Sequence, residues 1–63
     1  MTSLSDAAYQ VADQYRSGQW PKLKGREWGH IWAFLLEELE KQCPGHSSRE
    51  YGMALDRGFA DTR

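Results

Sequence analysis

The segment over residues 28–39, WGHIWAFLLEEL, constrains the fold more than any other part of the chain. Its large apolar residues recur at intervals of three and four, the spacing of one face of an α-helix. They are Trp28, Ile31, Trp32, Leu35, Leu36 and Leu39. No other segment of the sequence carries as much apolar surface. The flanking segments are therefore predicted to fold onto this central helix.

A first helix is predicted over residues 4–17. Its apolar residues share one face and are mostly small, which allows a close approach by another helix; they are Leu4, Ala7, Ala8, Val11, Ala12 and Tyr15. Ser3 or Ser5 can cap the start, because a serine hydroxyl accepts a hydrogen bond from a free N–H of the first turn. Gly18 suits the left-handed position that ends many helices, and Pro21 prevents continuation.

The central and third helices are predicted over residues 26–42 and 47–60. Pro44 disfavours helical backbone at Cys43 and so ends the central helix. Ser47, three residues before Glu50, matches a capping box that opens the third helix. The inner face of the third helix comprises Tyr51, Ala54, Leu55, Gly58 and Phe59. The sequence thus predicts an all-α fold, a small three-helix bundle in which residues 1–63 form one domain around a core centred on the central helix.

Length and composition bound this fold further. At 63 residues the chain has room for one core, and a chain of this size buries only about 60% of its unfolded surface. Cys43 is the single cysteine, so an intrachain disulfide is excluded. The longest apolar run, residues 31–36, has six residues, whereas a membrane span takes about 20. Because the first residues lack a secretory signal pattern, we expect a cytoplasmic location and no membrane partner.

The residues present give little support to a chemical site. Cys43, His30 and His46 are the thiol and imidazole groups of the chain, and a structural zinc site takes four such ligands. Glu27 and His30 have the Glu-x-x-His spacing of two-metal helical bundles, but both fall opposite the apolar stripe of the central helix. Neither a glycine-rich phosphate loop nor a nucleophile elbow is found. We therefore expect a non-enzymatic protein with no metal and no cofactor.

Three large side chains do not fit the apolar faces of their predicted helices: Tyr9, Phe34 and Met53. Exposed together, they would form a patch of the kind that a partner protein covers. Alternatively, Phe34 lies on the flank of its helix and helps to close the core. The first interpretation predicts a protein-interaction module that binds another protein, or a second copy of itself as a homodimer.

An acidic run on the central helix suggests one concrete form of this module. Glu37, Glu38 and Glu40 stand against a single lysine, Lys41. Such a run could cover a basic nucleic-acid channel, as an inhibitor of a nucleoprotein machine does. In size and charge alone, the chain looks like the compact helical proteins of phages and mobile elements, of which anti-CRISPR-like inhibitors are one kind.

The rival hypothesis is a small helix-turn-helix-like regulator that binds DNA or RNA. Its phosphate contacts would come from the third helix and from the loop before the central helix. The candidate residues are Lys22, Lys24, Arg26 and Arg49. The formal net charge of −1 argues against it, because nucleic-acid-binding domains usually carry a clear basic excess. Nucleic acid is therefore the less favoured partner.

Overall fold

Three α-helices make up the fold in a computed structural model, which describes residues 3–60. They are α1 (Leu4–Arg16), α2 (Trp28–Gln42) and α3 (Ser48–Ala60). One turn of 3-10 helix, Pro21–Leu23, lies in the connection between α1 and α2. The predicted all-α, three-helix architecture is confirmed. None of the helices described over these residues combines the length and apolar character needed to cross a membrane.

The ends of α1 follow from its capping residues. The backbone N–H of Asp6 donates to Ser3 Oγ at 3.2 Å, which selects Ser3 as the cap. At the other end Gly18 has a φ of +80°, the left-handed conformation that glycine adopts without a steric cost. The helix ends at Arg16, one residue before the predicted Ser17, which serves as its C-cap.

α2 begins at Trp28, two residues later than the predicted start at Arg26. The backbone N–H of Arg26 donates instead to the carbonyl of Leu23 at 3.1 Å, so Arg26 belongs to the preceding turn. Gly25, with a φ of +82°, completes that turn. Leu23 is only 2% exposed, so the loop contributes a core residue that no helical pattern includes.

The core takes its largest fully buried side chains from all three helices: Leu35 and Leu39 of α2, Val11 of α1 and Leu55 of α3. The alanines of α1 at positions 7, 8 and 12 are also fully buried. Where α1 and α3 cross, a Cβ added to Gly58 would lie 3.0 Å from the carbonyl oxygen of Ala8. Gly58 therefore permits this close crossing, whereas a Cβ added to Gly29 would meet nothing within 4 Å.

Contacts between helix ends establish the direction of each helix. Tyr15, at the end of α1, has its ring centroid 5.9 Å from that of Phe59, at the end of α3. Phe59 in turn lies 5.6 Å from Trp28, at the start of α2. Hence α1 and α3 run in the same direction and α2 runs opposite to both. The end of α1, the start of α2 and the end of α3 meet at one end of the bundle.

The turn between α2 and α3 is closed by Tyr51. Its hydroxyl donates to the carbonyl of Cys43 at 2.7 Å and accepts from the backbone N–H of His46 at 3.2 Å. α3 starts at Ser48 rather than at the predicted Ser47, because Ser47 is its cap: Ser47 Oγ accepts from the N–H of Glu50 at 3.2 Å. The carboxylate of Glu50 accepts from Ser47 Oγ at 3.3 Å. The capping residues are those predicted.

Candidate partner-binding site

Four aromatic rings from all three helices pack together at the end of the bundle where the helices meet. They are Tyr15, Trp28, Trp32 and Phe59, and we name them the aromatic face. Trp28 is central, with its ring centroid 6.1 Å from Tyr15, 5.9 Å from Trp32 and 5.6 Å from Phe59. The contacts of Trp28 with Tyr15 and Phe59 are edge-to-face, an arrangement that aromatic quadrupoles favour. The rings are therefore held in place by one another.

Trp28 is much more exposed than its place in the sequence predicts. Its place on the apolar stripe of α2 predicts burial, but its side chain is 53% exposed. Helical side chains lean toward the N-terminus of their helix, so a residue in the first turn projects past the helix end. Trp32, one turn further along, is half-buried and packs against the core. The stripe is therefore buried along α2 and becomes a surface feature at the start of the helix.

Charged groups border the aromatic face on two sides. Arg16 places its guanidinium carbon 5.3 Å from the ring centroid of Phe59, and its Nη2 donates to the Phe59 carbonyl at 2.7 Å. Arg16 also pairs with Asp13 at 3.6 Å. On another side, Asp56 lines a shallow groove together with Trp28, Gly29, Trp32 and Phe59. The surface is thus an apolar centre bordered by the guanidinium of Arg16, which is itself paired with Asp13, and by the carboxylate of Asp56.

Phe34 lies on the flank of α2, and the structure supports the interpretation in which it helps to close the core. It is half-buried, and its ring lies 5.4 Å from that of Trp20, which folds back onto the core from the loop. The ammonium of Lys22 lies 4.4 Å from the Phe34 ring centroid. Two loop residues therefore cover much of a side chain that was a candidate for partner binding.

Tyr9 and Met53 lie near each other, and Phe34 lies elsewhere. Tyr9 lines one depression between α1 and α3, and Met53 lines the next; both depressions share Ser5, Ala54 and Arg57. Met53 is 58% exposed and Tyr9 is half-buried. Phe34 borders a different depression, on α2 beside His30, Ala33 and Glu37. The three side chains therefore do not line one common depression.

The acidic candidates lie on α2. Glu37 and Glu40 are exposed, while Glu38 is half-buried. Lys41 Nζ lies 3.6 Å from Glu38 Oε1, so Lys41 forms an ion pair with Glu38. One of the three carboxylates is thus paired with a neighbouring lysine.

The basic candidates are divided between the two ends of the bundle. Lys24 and Arg26 are exposed in the loop that leads into α2, and Lys22 lies over Phe34. Arg49 is in the first turn of α3, but the start of α2 packs against the opposite end of α3, at Phe59. α3 has 13 residues, or a length of about 20 Å. The loop and Arg49 therefore do not form one continuous basic face.

Over residues 3–60, no group of three or more His, Cys, Asp or Glu side chains is placed to hold a metal ion. The fold and this surface define a small all-α domain with an exposed aromatic face. No known protein-family model, curated protein or solved structure with which the chain was compared matches it.

The aromatic face combines residues that the sequence predicts on the apolar faces of three separate helices. Periodicity predicts Trp28 and Trp32, one helical turn apart, on the apolar stripe of α2, and Phe59 and Tyr15 on the inner faces of α3 and α1. The sequence places Tyr15 and Phe59 near the ends of their helices and Trp28 and Trp32 in the first two turns of theirs. These residues meet at one end of the bundle because α2 runs opposite to α1 and α3.

Proposed function

We propose that this chain is a non-enzymatic protein-interaction module that binds another protein through its aromatic face. The observation that supports this most is Trp28, which remains 53% exposed although three other rings hold it in place. An indole fixed in this way loses little conformational entropy when a partner covers it. Tryptophan and tyrosine are also the residue types that most often dominate the energy of protein interfaces.

The rim of the aromatic face supports a protein partner over nucleic acid. Arg16 and Asp56 place opposite charges beside the apolar centre, which suits the polar rim of a protein interface. A phosphate backbone would meet the carboxylate of Asp56 unfavourably. We further propose the cytoplasmic location that the sequence pattern predicts.

An inhibitor of phage or mobile-element type is one form of this module. Its support is the acidic side of α2, where Glu37 and Glu40 are exposed. In this form, α2 would cover a basic surface of a nucleoprotein machine while the aromatic face anchors the contact. Replacing Glu37, Glu38 and Glu40 by lysine would then abolish binding. Unchanged binding would exclude the inhibitor form, but not the proposal that the chain is a protein-interaction module.

The experiment is affinity capture with the immobilised chain from an extract of the organism that encodes it. Three versions are compared by quantitative mass spectrometry: the wild type, Trp28→Gln and Met53→Gln. The two variants are matched, because Trp28 and Met53 are the exposed large apolar side chains of the described residues. Circular dichroism first establishes that all three versions are folded.

The expected result is a partner held by the wild type and by Met53→Gln but lost by Trp28→Gln. A hot-spot side chain at the centre of an interface contributes about 2 kcal/mol or more, roughly a 30-fold loss of affinity. Equal capture by Trp28→Gln and the wild type would contradict the proposed site. Loss only with Met53→Gln would place the contact between α1 and α3 instead.

A further inference from the structure

A second surface lies along α3, at the edge of the helix that borders α1. Glu50, Met53, Ala54 and Arg57 follow one another at intervals of three, one and three residues, so they form a single stripe on the helix. All four line one depression between α3 and α1, together with Leu4 and Ser5. We name them the α3 stripe. Its two ends carry opposite charges and its centre is apolar.

We propose that the α3 stripe binds the same stripe of a second copy of this chain, with the two α3 helices antiparallel. When the two-fold axis passes between Met53 and Ala54, Glu50 of each copy faces Arg57 of the other. Each Met53 then faces the small Ala54 opposite. A two-fold interface requires this kind of self-complementarity, in which the same patch serves both partners. Parallel helices would instead bring like charges together.

The side chains of the stripe fit this arrangement. Met53 is 58% exposed, and the flexible methionine side chain adapts to shallow, irregular surfaces. Glu50 already contacts His46 Nδ1 at 2.7 Å and Ser47 Oγ at 3.3 Å, yet a carboxylate has about four acceptor positions and can also accept from an arginine. Arg57 is exposed on the same face. Each copy thus offers one acceptor and one donor to the other.

The α3 stripe is separate from the aromatic face. On a helical wheel, Phe59 lies on the opposite side of α3 from the centre of the stripe, and it packs against Trp28 and Tyr15. A dimer formed through the stripe therefore leaves both aromatic faces accessible. Because a single helix contributes most of the contact, the interface belongs to the small class of transient assemblies.

The test measures association by sedimentation equilibrium from roughly 1 µM to 1 mM, the range over which weak interfaces dissociate. The versions compared are the wild type, Glu50→Arg, Arg57→Glu and the double exchange Glu50→Arg/Arg57→Glu. Arg49→Glu is the matched control, because it makes the same charge change on α3 outside the stripe. Circular dichroism establishes the folding of each version.

We expect the wild type to dimerise, and each single variant to weaken self-association at least about tenfold, because like charges then face each other. The double exchange restores complementarity and therefore association, and Arg49→Glu associates as the wild type does. The most decisive sample is an equimolar mixture of Glu50→Arg and Arg57→Glu. The stripe of the first variant carries only positive charges and that of the second only negative ones, so we expect the two to form heterodimers.

Three results would overturn the proposal. They are a wild type that is monomeric at every concentration, a dimer that Arg57→Glu leaves as stable as Arg49→Glu does, and a mixture that contains no heterodimer. Glu50→Arg could fail to fold because its contacts with the capping turn are lost. In that case the comparison of Arg57→Glu with Arg49→Glu still tests whether the α3 stripe forms the dimer. None of these results bears on partner binding through the aromatic face.

Discussion

The rings of Phe59 and Trp28 pack edge-to-face, with centroids 5.6 Å apart and planes at 75°. This pair joins the end of α3 to the start of α2. It also holds an indole of which half remains exposed to solvent. The contact therefore has two roles, since it closes one end of the bundle and presents an aromatic surface there.

Trp28→Gln is expected to lower the free energy of unfolding by about 1–3 kcal/mol, because each of its two edge-to-face contacts contributes about 0.5–1.5 kcal/mol beyond area burial. Leu35→Ala is the comparison, since Leu35 is fully buried and such truncations cost about 2–5 kcal/mol. Urea denaturation followed by circular dichroism measures both. An equal loss for the two variants would mean that Trp28 belongs to the core rather than to the surface.

Substitution of two different glycines by alanine is expected to change the stability of the fold in opposite directions. Gly58→Ala places a Cβ 3.0 Å from the backbone oxygen of Ala8, so α1 and α3 must move apart, and overpacking of this kind costs about 1–3 kcal/mol. Gly29→Ala adds a methyl group in open space and gains up to about 1 kcal/mol of helix propensity.

Thermal unfolding of the wild type and of both variants measures this contrast. We expect Gly29→Ala to melt above the wild type and Gly58→Ala below it. A Gly58→Ala variant as stable as Gly29→Ala would show that the crossing of α1 and α3 is looser than the structure has it.

Acidification is expected to weaken the turn between α2 and α3. The hydrogen bond from His46 holds the pKa of the Glu50 carboxyl below its ordinary value of 4.5. A group whose pKa is lowered on folding stabilises the fold above its unfolded pKa, and this contribution is lost as the pH falls through the folded value. Stability should therefore decrease below pH 4.5, and less steeply in Glu50→Gln.

Urea midpoints at several pH values between neutrality and strong acid test this expectation. Glu40→Gln is the control, because it removes an exposed carboxyl from α2 and leaves the turn intact. If Glu50→Gln and Glu40→Gln follow the wild type with the same acid dependence, the interaction of Glu50 with His46 does not stabilise the turn.

Binding to nucleic acid is expected to be absent. The exposed basic residues Lys24 and Arg26 precede the start of α2, which packs against the end of α3, whereas Arg49 lies in the first turn of α3. A single duplex would therefore contact few of these basic groups at a time. Fluorescence anisotropy of labelled duplex and single-stranded DNA, across a salt series, measures this. Micromolar binding that collapses with salt, and that is lost when Lys22, Lys24 and Arg26 are replaced by alanine, would support the regulator hypothesis instead.

Periodicity predicts the helices and most of the core, because a buried helix face repeats in the sequence as it does in space. The stripe of α2 correctly predicts the burial of Ile31, Leu35 and Leu39. It cannot predict the exposure of Trp28, because a repeat of apolar residues does not mark where the helix emerges from the core. The buried Leu23 is equally invisible to periodicity, since it lies in a loop.

The candidate site depends on contacts between residues distant in the sequence. Tyr15, Trp28 and Phe59 come together because α2 reverses direction relative to α1 and α3. Phe34 lacks the exposure first considered for it because Trp20 folds back from a loop that has no repeating pattern. Sequence pattern therefore predicts which residues are apolar on each helix, but not which of them a partner can reach.

The crossing of Ala8 with Gly58 also has a kinetic consequence. It joins the first helix to the last one, so the intervening chain must close a long loop before this contact forms. α1 and α2 can pair early, because only a short connection separates them, whereas the face of α1 around Ala8 is expected to stay exposed until the last turn of α3 has formed. The crossing of α1 and α3 is therefore expected to be a late event in folding.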